Sequence, residues 1–233
     1  MKIIGFDTAS DDTVVASRSG EETVFEKLIG PDDAGRPVHS EALLISLNEA
    51  AEALGGWGDV RRLAVGTGPG TFTGIRIGLA TANGLALSTG IELAGVSTLE
   101  ALSLPMHDGT SSVMPLLDAR RGEVFAALYA PDGSILREPF ASSPDDLTLL
   151  LSELDPSPLV GGPGAVRFRD ELTRTGVAVA DSDTGTHHLS GRSICELGAA
   201  VGRIDNSIPL EPTYLRVPDA QLWLERDGPK GSA

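Results

Sequence analysis

Several residue types are scarce in this chain, and each scarcity excludes something. There is one cysteine, Cys195, in 233 residues. No internal disulfide is possible, and its apolar helical neighbours mark it as a buried structural thiol rather than a nucleophile. Aromatics make up only 4%, and 18 Lys plus Arg stand against 33 Asp plus Glu, for a net charge of −15. Wrapping a nucleic acid unaided is thereby excluded, because phosphates need clustered cations and bases need aromatic faces. The acids are dispersed in pairs, Asp11-Asp12, Glu21-Glu22, Asp32-Asp33 and Asp145-Asp146, with no block long enough to form a tail. No apolar run approaches the roughly 20 residues of a membrane span, and residue 1 leads into an alternating strand without a signal-peptide pattern. A soluble, cytosolic protein with no membrane partner is expected. Residues 227–233 read as a frayed end.

What the chain does have is a 41% hydrophobic content and 28 glycines, enough apolar matter for a substantial core. The most informative stretch is residues 66–87, GTGPGTFTGIRIGLATANGLAL. The apolar strand 63–65 runs into a loop punctuated by Gly68, Pro69, Gly70 and Gly74, and Thr71 or Thr73 can cap the helix that follows. Strand, glycine loop and helix together usually hold phosphate. Yet no Lys-Ser/Thr pair follows the glycines and the dinucleotide-binding glycine spacing is absent, so neither common nucleotide fingerprint is met. Within the helix, Gly74, Gly78, Ala82, Ala86 and Gly90 recur every four residues and form one smooth stripe. Glycine inside a helix costs up to about 1 kcal/mol. The stripe serves either tight packing on the chain's own sheet or a surface shaped for a partner.

Along the chain, strand 2–6 ends in Asp7-Thr8, and residues 13–17 and 23–28 read as a hairpin. A Pro/Gly/Asp loop at 30–37 precedes a helix over 40–54, with Leu43, Leu44, Leu47, Ala50, Ala51 and Leu54 at the helical period. A strand at 91–96 leads to a short helix capped by Ser97 or Thr98 and ended by Pro105. The pattern then restarts. Strand 113–117 ends in Asp118, and 123–129 runs to a turn at Asp132-Gly133. Asp7 and Asp118 thus hold equivalent places in an internal repeat, which predicts two similar α/β lobes, 1–106 and 107–233. Helix 144–154, strand and glycine loop 159–164, helix 166–175, strand 177–180 and helix 190–204 complete the reading.

MKIIGFDTAS, GTGPGTFTGIRIGLATANGLAL, GVSTLEAL and LLDARRGEVFAALY, in that order, closely resemble the TsaB (YeaZ) family. GGPG at 161–164 and EPTYLR at 211–216 stand in expected places. The resemblance implies an actin-like ASKHA fold (ribonuclease H-like) of two lobes, each with a mixed sheet flanked by helices. It also implies a role in making threonylcarbamoyladenosine beside the anticodon of tRNA, with the catalytic paralogue TsaD and the ATPase TsaE as partners. A homodimer is expected when the chain is alone, and tRNA is reached only through the complex.

In that paralogue the segment matching 95–102 carries two metal-binding histidines, where this chain has Thr98 and Leu102. A hydroxyl and an isobutyl group cannot replace two imidazoles, so no metal and no catalytic residue is expected here. His39, His107, His187 and His188 do not rebuild the site and read as surface or structural. ASKHA proteins hold Mg-ATP between an aspartate after the first strand, an Asp-x-Gly turn and a Gly-Gly loop. Here Asp7-Thr8, Asp118 and Gly161-Gly162 keep only that outline, since Asp118-Ala119-Arg120 puts an arginine into the phosphate turn. These five residues form at most a weak nucleotide site, with no tightly bound cofactor; Asp7 would serve backbone N–H groups, and Arg120 and Arg121 nearby carboxylates.

The leading expectation is a non-catalytic subunit whose helices 40–54 and 74–87 bundle with a homologous partner, with Leu47, Leu54, Gly74, Gly78 and Ala82 at or beside the contact. A stand-alone ASKHA enzyme, either an ATP-dependent transferase or a glycoprotease-like peptidase, is the alternative. It lacks a Ser-His-Asp spacing, an HExxH motif or a metal cluster in the sequence. A sugar or acid kinase of the same fold fails on the missing phosphate turn.

Overall fold

The computed structural model describes residues 1–181, 184–202 and 209–216. Its first half runs β1 (Lys2–Asp7), β2 (Thr13–Ser19), β3 (Glu22–Ile29), α1 (His39–Ala53), β4 (Arg62–Gly66), α2 (Phe72–Thr89), β5 (Glu92–Val96) and α3 (Thr98–Ser103). The second half runs β6 (Val113–Arg120), β7 (Glu123–Tyr129), β8 (Ile135–Ser142), α4 (Pro144–Ser152), β9 (Leu159–Gly161), α5 (Pro163–Arg167), α6 (Arg169–Arg174) and α7 (Gly191–Ala200).

Two mixed sheets result, in the orders β3-β2-β1-β4-β5 and β8-β7-β6-β9. In each, a leading strand pairs antiparallel with the strand after it and parallel with a later one. Phe6 faces Val15 across β1–β2 and Ile4 faces Leu63 across β1–β4, while Leu117 faces Phe125 and Met114 faces Val160 in the second sheet. The expected repeat is thus carried by strand order. It extends to single atoms: Asp7 accepts the N–H of Ala9, and Asp118 accepts the N–H of Arg120, each with Oδ1. The expected strand 177–180 contributes only one bridge, Val160 to Val179. Residues 203 and 204 of the last expected helix, and the expected frayed end 227–233, lie outside the described residues.

β1 and β4 read as apolar runs because both faces of the first sheet are covered. Ile4, Phe6, Leu63 and Val65 point into a core shared with α1 and α2, whereas Ile3 and Ala64 point the other way, into a core shared with α3, α7 and β6–β7. That second core joins the two sheets. α7, in the segment assigned to the second lobe, packs on β1, β2 and β4 of the first. Its approach is close: a β-carbon on Gly5 would stand 2.8 Å from Cys195 Sγ. Burial pushes the Cys195 thiol up to about 12, so it is inert. Arg62 closes the C-terminal end of α7, donating to the carbonyls of Gly198 at 2.8 Å and Val201 at 2.7 Å while pairing with Glu92. A cation there meets the negative end of the helix and satisfies its last carbonyls.

The glycine stripe of α2 turns inward. Thr71 caps the helix, its Oγ1 accepting the Gly74 N–H at 3.3 Å, and the Thr8 hydroxyl donates to the Gly74 carbonyl at 2.7 Å. A β-carbon on Gly74 would overlap the Thr8 carbonyl, and one on Gly78 would stand 2.7 Å from Thr8 Oγ1. Leu47, Leu54 and Ala82 are buried in the same core. Leu47, Leu54, Gly74, Gly78 and Ala82 therefore do not themselves form an exposed face: the close backbone that needs glycine is the chain's own β1 end. Gly78→Leu should lower the unfolding free energy by about 1–3 kcal/mol through overpacking, seen as a lower urea midpoint. An unchanged midpoint would mean that the stripe does not pack on Thr8.

Candidate functional site at the lobe junction

A pocket of about 270 Å³ opens between the two sheets, lined among others by Ser10, Asp11, Asp12, Thr71, Asp118 and Arg120. β1 ends beneath it and the β6–β7 hairpin forms its far wall. The hairpin turns on Arg121 and Gly122, at φ 54° and 76°, after Arg120 at φ 63°. Two central residues at positive φ suit a two-residue hairpin, but a non-glycine residue held there costs on the order of 1–2 kcal/mol. Something must keep Arg120 in place. Its guanidinium pairs with Asp11 of the first lobe and lies 3.6 Å from Asp118, which also takes Arg167. Carboxylates and guanidiniums thus alternate across the junction, Asp11 to Arg120 to Asp118 to Arg167. Asp12 stands beside them, its carboxyl raised from the ordinary value mainly by burial, against the opposing pull of His188.

Of the five residues expected at a nucleotide site, only Asp118 lines this pocket. Asp7 is fully buried; its Oδ2 accepts the Thr98 hydroxyl at 2.7 Å and its Oδ1 the Ala9 N–H at 2.5 Å. Gly66 is glycine because a β-carbon there would overlap the Asp7 carboxylate. Thr8 is taken up by α2. Gly162, at φ 95°, donates its N–H to the Thr186 carbonyl at 3.0 Å, and a β-carbon on it would stand 2.8 Å from Leu102. Gly161 packs on Met106. Among the described residues, Asp7, Thr8, Gly161 and Gly162 are buried and none of the four lines this pocket. Two N–H groups of the β4–α2 loop are bonded within the chain: Thr67 donates to Val96 at 2.8 Å and Thr71 to Ala9 at 2.7 Å.

Thr98 and Leu102 are both buried, one bonded to Asp7 and the other in the intersheet core. Among the described residues no group of three or more His, Cys, Asp or Glu is placed to hold a metal ion. His187 is buried, with Nδ1 3.2 Å from the Gly162 carbonyl and Nε2 3.0 Å from that of Ala180. His39 is the first residue of α1 rather than standing ahead of it, and is buried against Thr13 at 2.8 Å. Both are structural. The sequence reading missed Asp11 and Arg167 as members of the junction. Asp11 was visible only as one of several acid pairs, although the repeat places it just beyond a strand end.

Residues 27–157 match the profile of the family described as TsaD: tRNA N6-adenosine threonylcarbamoyltransferase, more than half of the chain. An uncharacterised protein of Mycobacterium tuberculosis is 32% identical over 187 residues, 78% of this chain and 77% of that one. The TsaB protein of Escherichia coli is 33% identical over 135 residues, 57% of this chain and 56% of its own length, and that of Bacillus subtilis is 38% identical over 80 residues, 34% and 35%. The chain belongs to the TsaB (YeaZ) family. Its matches span about half or less of those two TsaB proteins. YeaZ from Pseudomonas aeruginosa superposes with a TM-score of 0.68 at 20% identity, covering 85% of this chain and 90% of that one. An uncharacterised protein of the same organism, described as similar to peptidase YEAZ, gives 0.73 at 23% identity, over 92% and 99%. These likenesses establish the fold, the actin-like ASKHA architecture of two similar lobes. Within that architecture, this TsaB-family chain has Asp7 turned inward on Thr98 and an arginine in the second-lobe turn.

Burial raises the Asp7 carboxyl to about 6 despite the Thr98 hydroxyl and the Ala9 N–H, which pull it down. A carboxyl whose folded value lies above its unfolded 3.8 stabilises the fold when protonated. That contribution is complete below about pH 4 and is lost as pH rises through 6. Asp7→Asn removes the titration. Between pH 4 and 7 the variant should gain up to about 3 kcal/mol on the wild type, levelling off above pH 6 in urea unfolding. A constant difference across that range would contradict the burial of an ionisable Asp7.

Proposed function

We propose that this chain is a non-catalytic subunit in the biosynthesis of tRNA threonylcarbamoyladenosine, the process named for its TsaB relatives. It works bound to a TsaD-like paralogue, with a TsaE-like ATPase, pairs with itself when alone, and meets tRNA only within that complex in the cytoplasm. The reading draws on the family profile, whose description is that of the transferase, and on a junction in which Thr98 and Leu102 cannot bind metal. Asp11, Asp12 and Asp118 would repel a triphosphate, and Arg120 and Arg167 are already paired. No helix among the described residues is long and apolar enough to cross a membrane.

One observation carries the reading. α1 and α2 lie side by side on one face of the first sheet, and their outer sides expose Leu44 at 58%, Ile45 at 62% and Leu87 at 91%. Large apolar side chains left in water on adjacent helices mark a contact surface. Ala80 and Gly84 are also exposed on α2, and a β-carbon on Gly84 would meet nothing within 4 Å. The partner face is thus the opposite side of α2 from the inward stripe, shallow where Ala80 and Gly84 lie and apolar at Leu87. A second pair of helices fits it by the helix-on-helix packing expected of a homologous subunit.

Ile45→Asp combined with Leu87→Asp should weaken association with the TsaD-like subunit by at least about tenfold, or about 1.4 kcal/mol, in calorimetry. Its melting should stay within the small range typical of surface changes. Full affinity in the double variant would place the contact elsewhere. Modification of tRNA by the isolated chain would favour the stand-alone transferase instead.

A further inference from the structure

The segment 209–216 crosses from one lobe to the other, and its contacts fall at opposite ends of the junction. On the first lobe, the Leu210 N–H donates to Asn83 Oδ1 at 3.3 Å and the Thr213 N–H to the Thr67 carbonyl at 2.8 Å. Tyr214 stacks on Phe72 of the first turn of α2 with ring centroids 5.2 Å apart, and its hydroxyl accepts the Arg76 Nε–H at 3.0 Å. The Arg76 guanidinium in turn lies 3.7 Å from the Phe72 ring centroid. Two residues later, Arg216 grips the β6–β7 hairpin of the second lobe. It donates to the Ala119 carbonyl at 3.0 Å, pairs with Glu123 and lies 5.9 Å from the Phe125 centroid.

Ala119 and Glu123 flank Arg120, the residue held at positive φ that closes the pocket on Asp11. The hairpin tip is exposed and its backbone conformation is unfavourable for arginine. Its position therefore depends on side-chain grips from outside the hairpin. Asp11 and Arg216 each supply one, beside the pairing of Arg167 with Asp118.

We propose that residues 209–216 form an interlobe latch: Arg216 fixes the hairpin so that Arg120 seals the pocket, and Tyr214 and Thr213 fix the latch to the first turn of α2. The pocket wall and the N-terminal end of α2 are then mechanically joined. Loosening either end of the latch frees the hairpin, and with it Arg120.

Hydrogen exchange of the full chain, read by mass spectrometry, tests this. Arg216→Ala and Glu123→Gln should each raise exchange of the 118–125 amides by about tenfold or more, while the amides of β1 and β4 keep wild-type protection. Tyr214→Ala, made at the far end and touching no hairpin residue, should raise it as well, because coupling through the latch runs both ways. Arg216→Glu combined with Glu123→Arg should restore protection. Unchanged hairpin exchange in Arg216→Ala would overturn the latch. Acceleration spread evenly over the whole chain would also overturn it, as would a hairpin indifferent to Tyr214→Ala.

Discussion

Everything at the junction depends on the way the end of β1 is seated. Asp7 and Thr8 leave the strand into a space walled by Gly66 of β4 and by Gly74 and Gly78 of α2, positions where a β-carbon would collide with them. The Thr8 hydroxyl holds the α2 backbone and the Asp7 carboxylate holds Thr98 at the head of α3. One dipeptide thereby positions two helices and the loop between β4 and α2. Glycines within α2 weaken the helix by up to about 1 kcal/mol each, a cost offset by the buried hydrogen bond and the close packing they permit.

The same seating separates two surfaces. Since the glycine stripe faces inward, the opposite side of α2 faces solvent and exposes Leu87, while the neighbouring helix α1 exposes Leu44 and Ile45. Since Asp7 is turned toward Thr98, the pocket above it is lined by the acids that follow, Asp11 and Asp12, and is closed by arginines. In a chain of net charge −15, a pocket whose cations are already paired attracts no polyanion. The exposed apolar face proposed as the partner contact and the inward turn of Asp7 therefore follow from one packing choice.

Much of this was legible in the sequence. The two Asp-ended strands announced the repeat because strand periodicity and a following glycine turn are local signals, and the strand orders β3-β2-β1-β4 and β8-β7-β6-β9 match it. Thr71 was legible as a cap for the same reason. The direction of the glycine stripe was not, since a four-residue repeat gives a face of the helix without saying what lies against it. Asp11, Arg120 and Arg167 were not legible as a chain of charges, because they come from three segments joined only by the fold. Residues 177–180 looked like a strand from β-branched composition, yet only Val179 bridges, to Val160.

The central claim is that Asp7 is held by Thr98 and the α2 glycines and is not available to a nucleotide. Calorimetric titration of the isolated chain with Mg-ATP at neutral pH tests it most directly. The account predicts no saturable heat up to about millimolar ATP, the range of a few kcal/mol of binding free energy. Submicromolar binding that disappears in Asp7→Ala would contradict it.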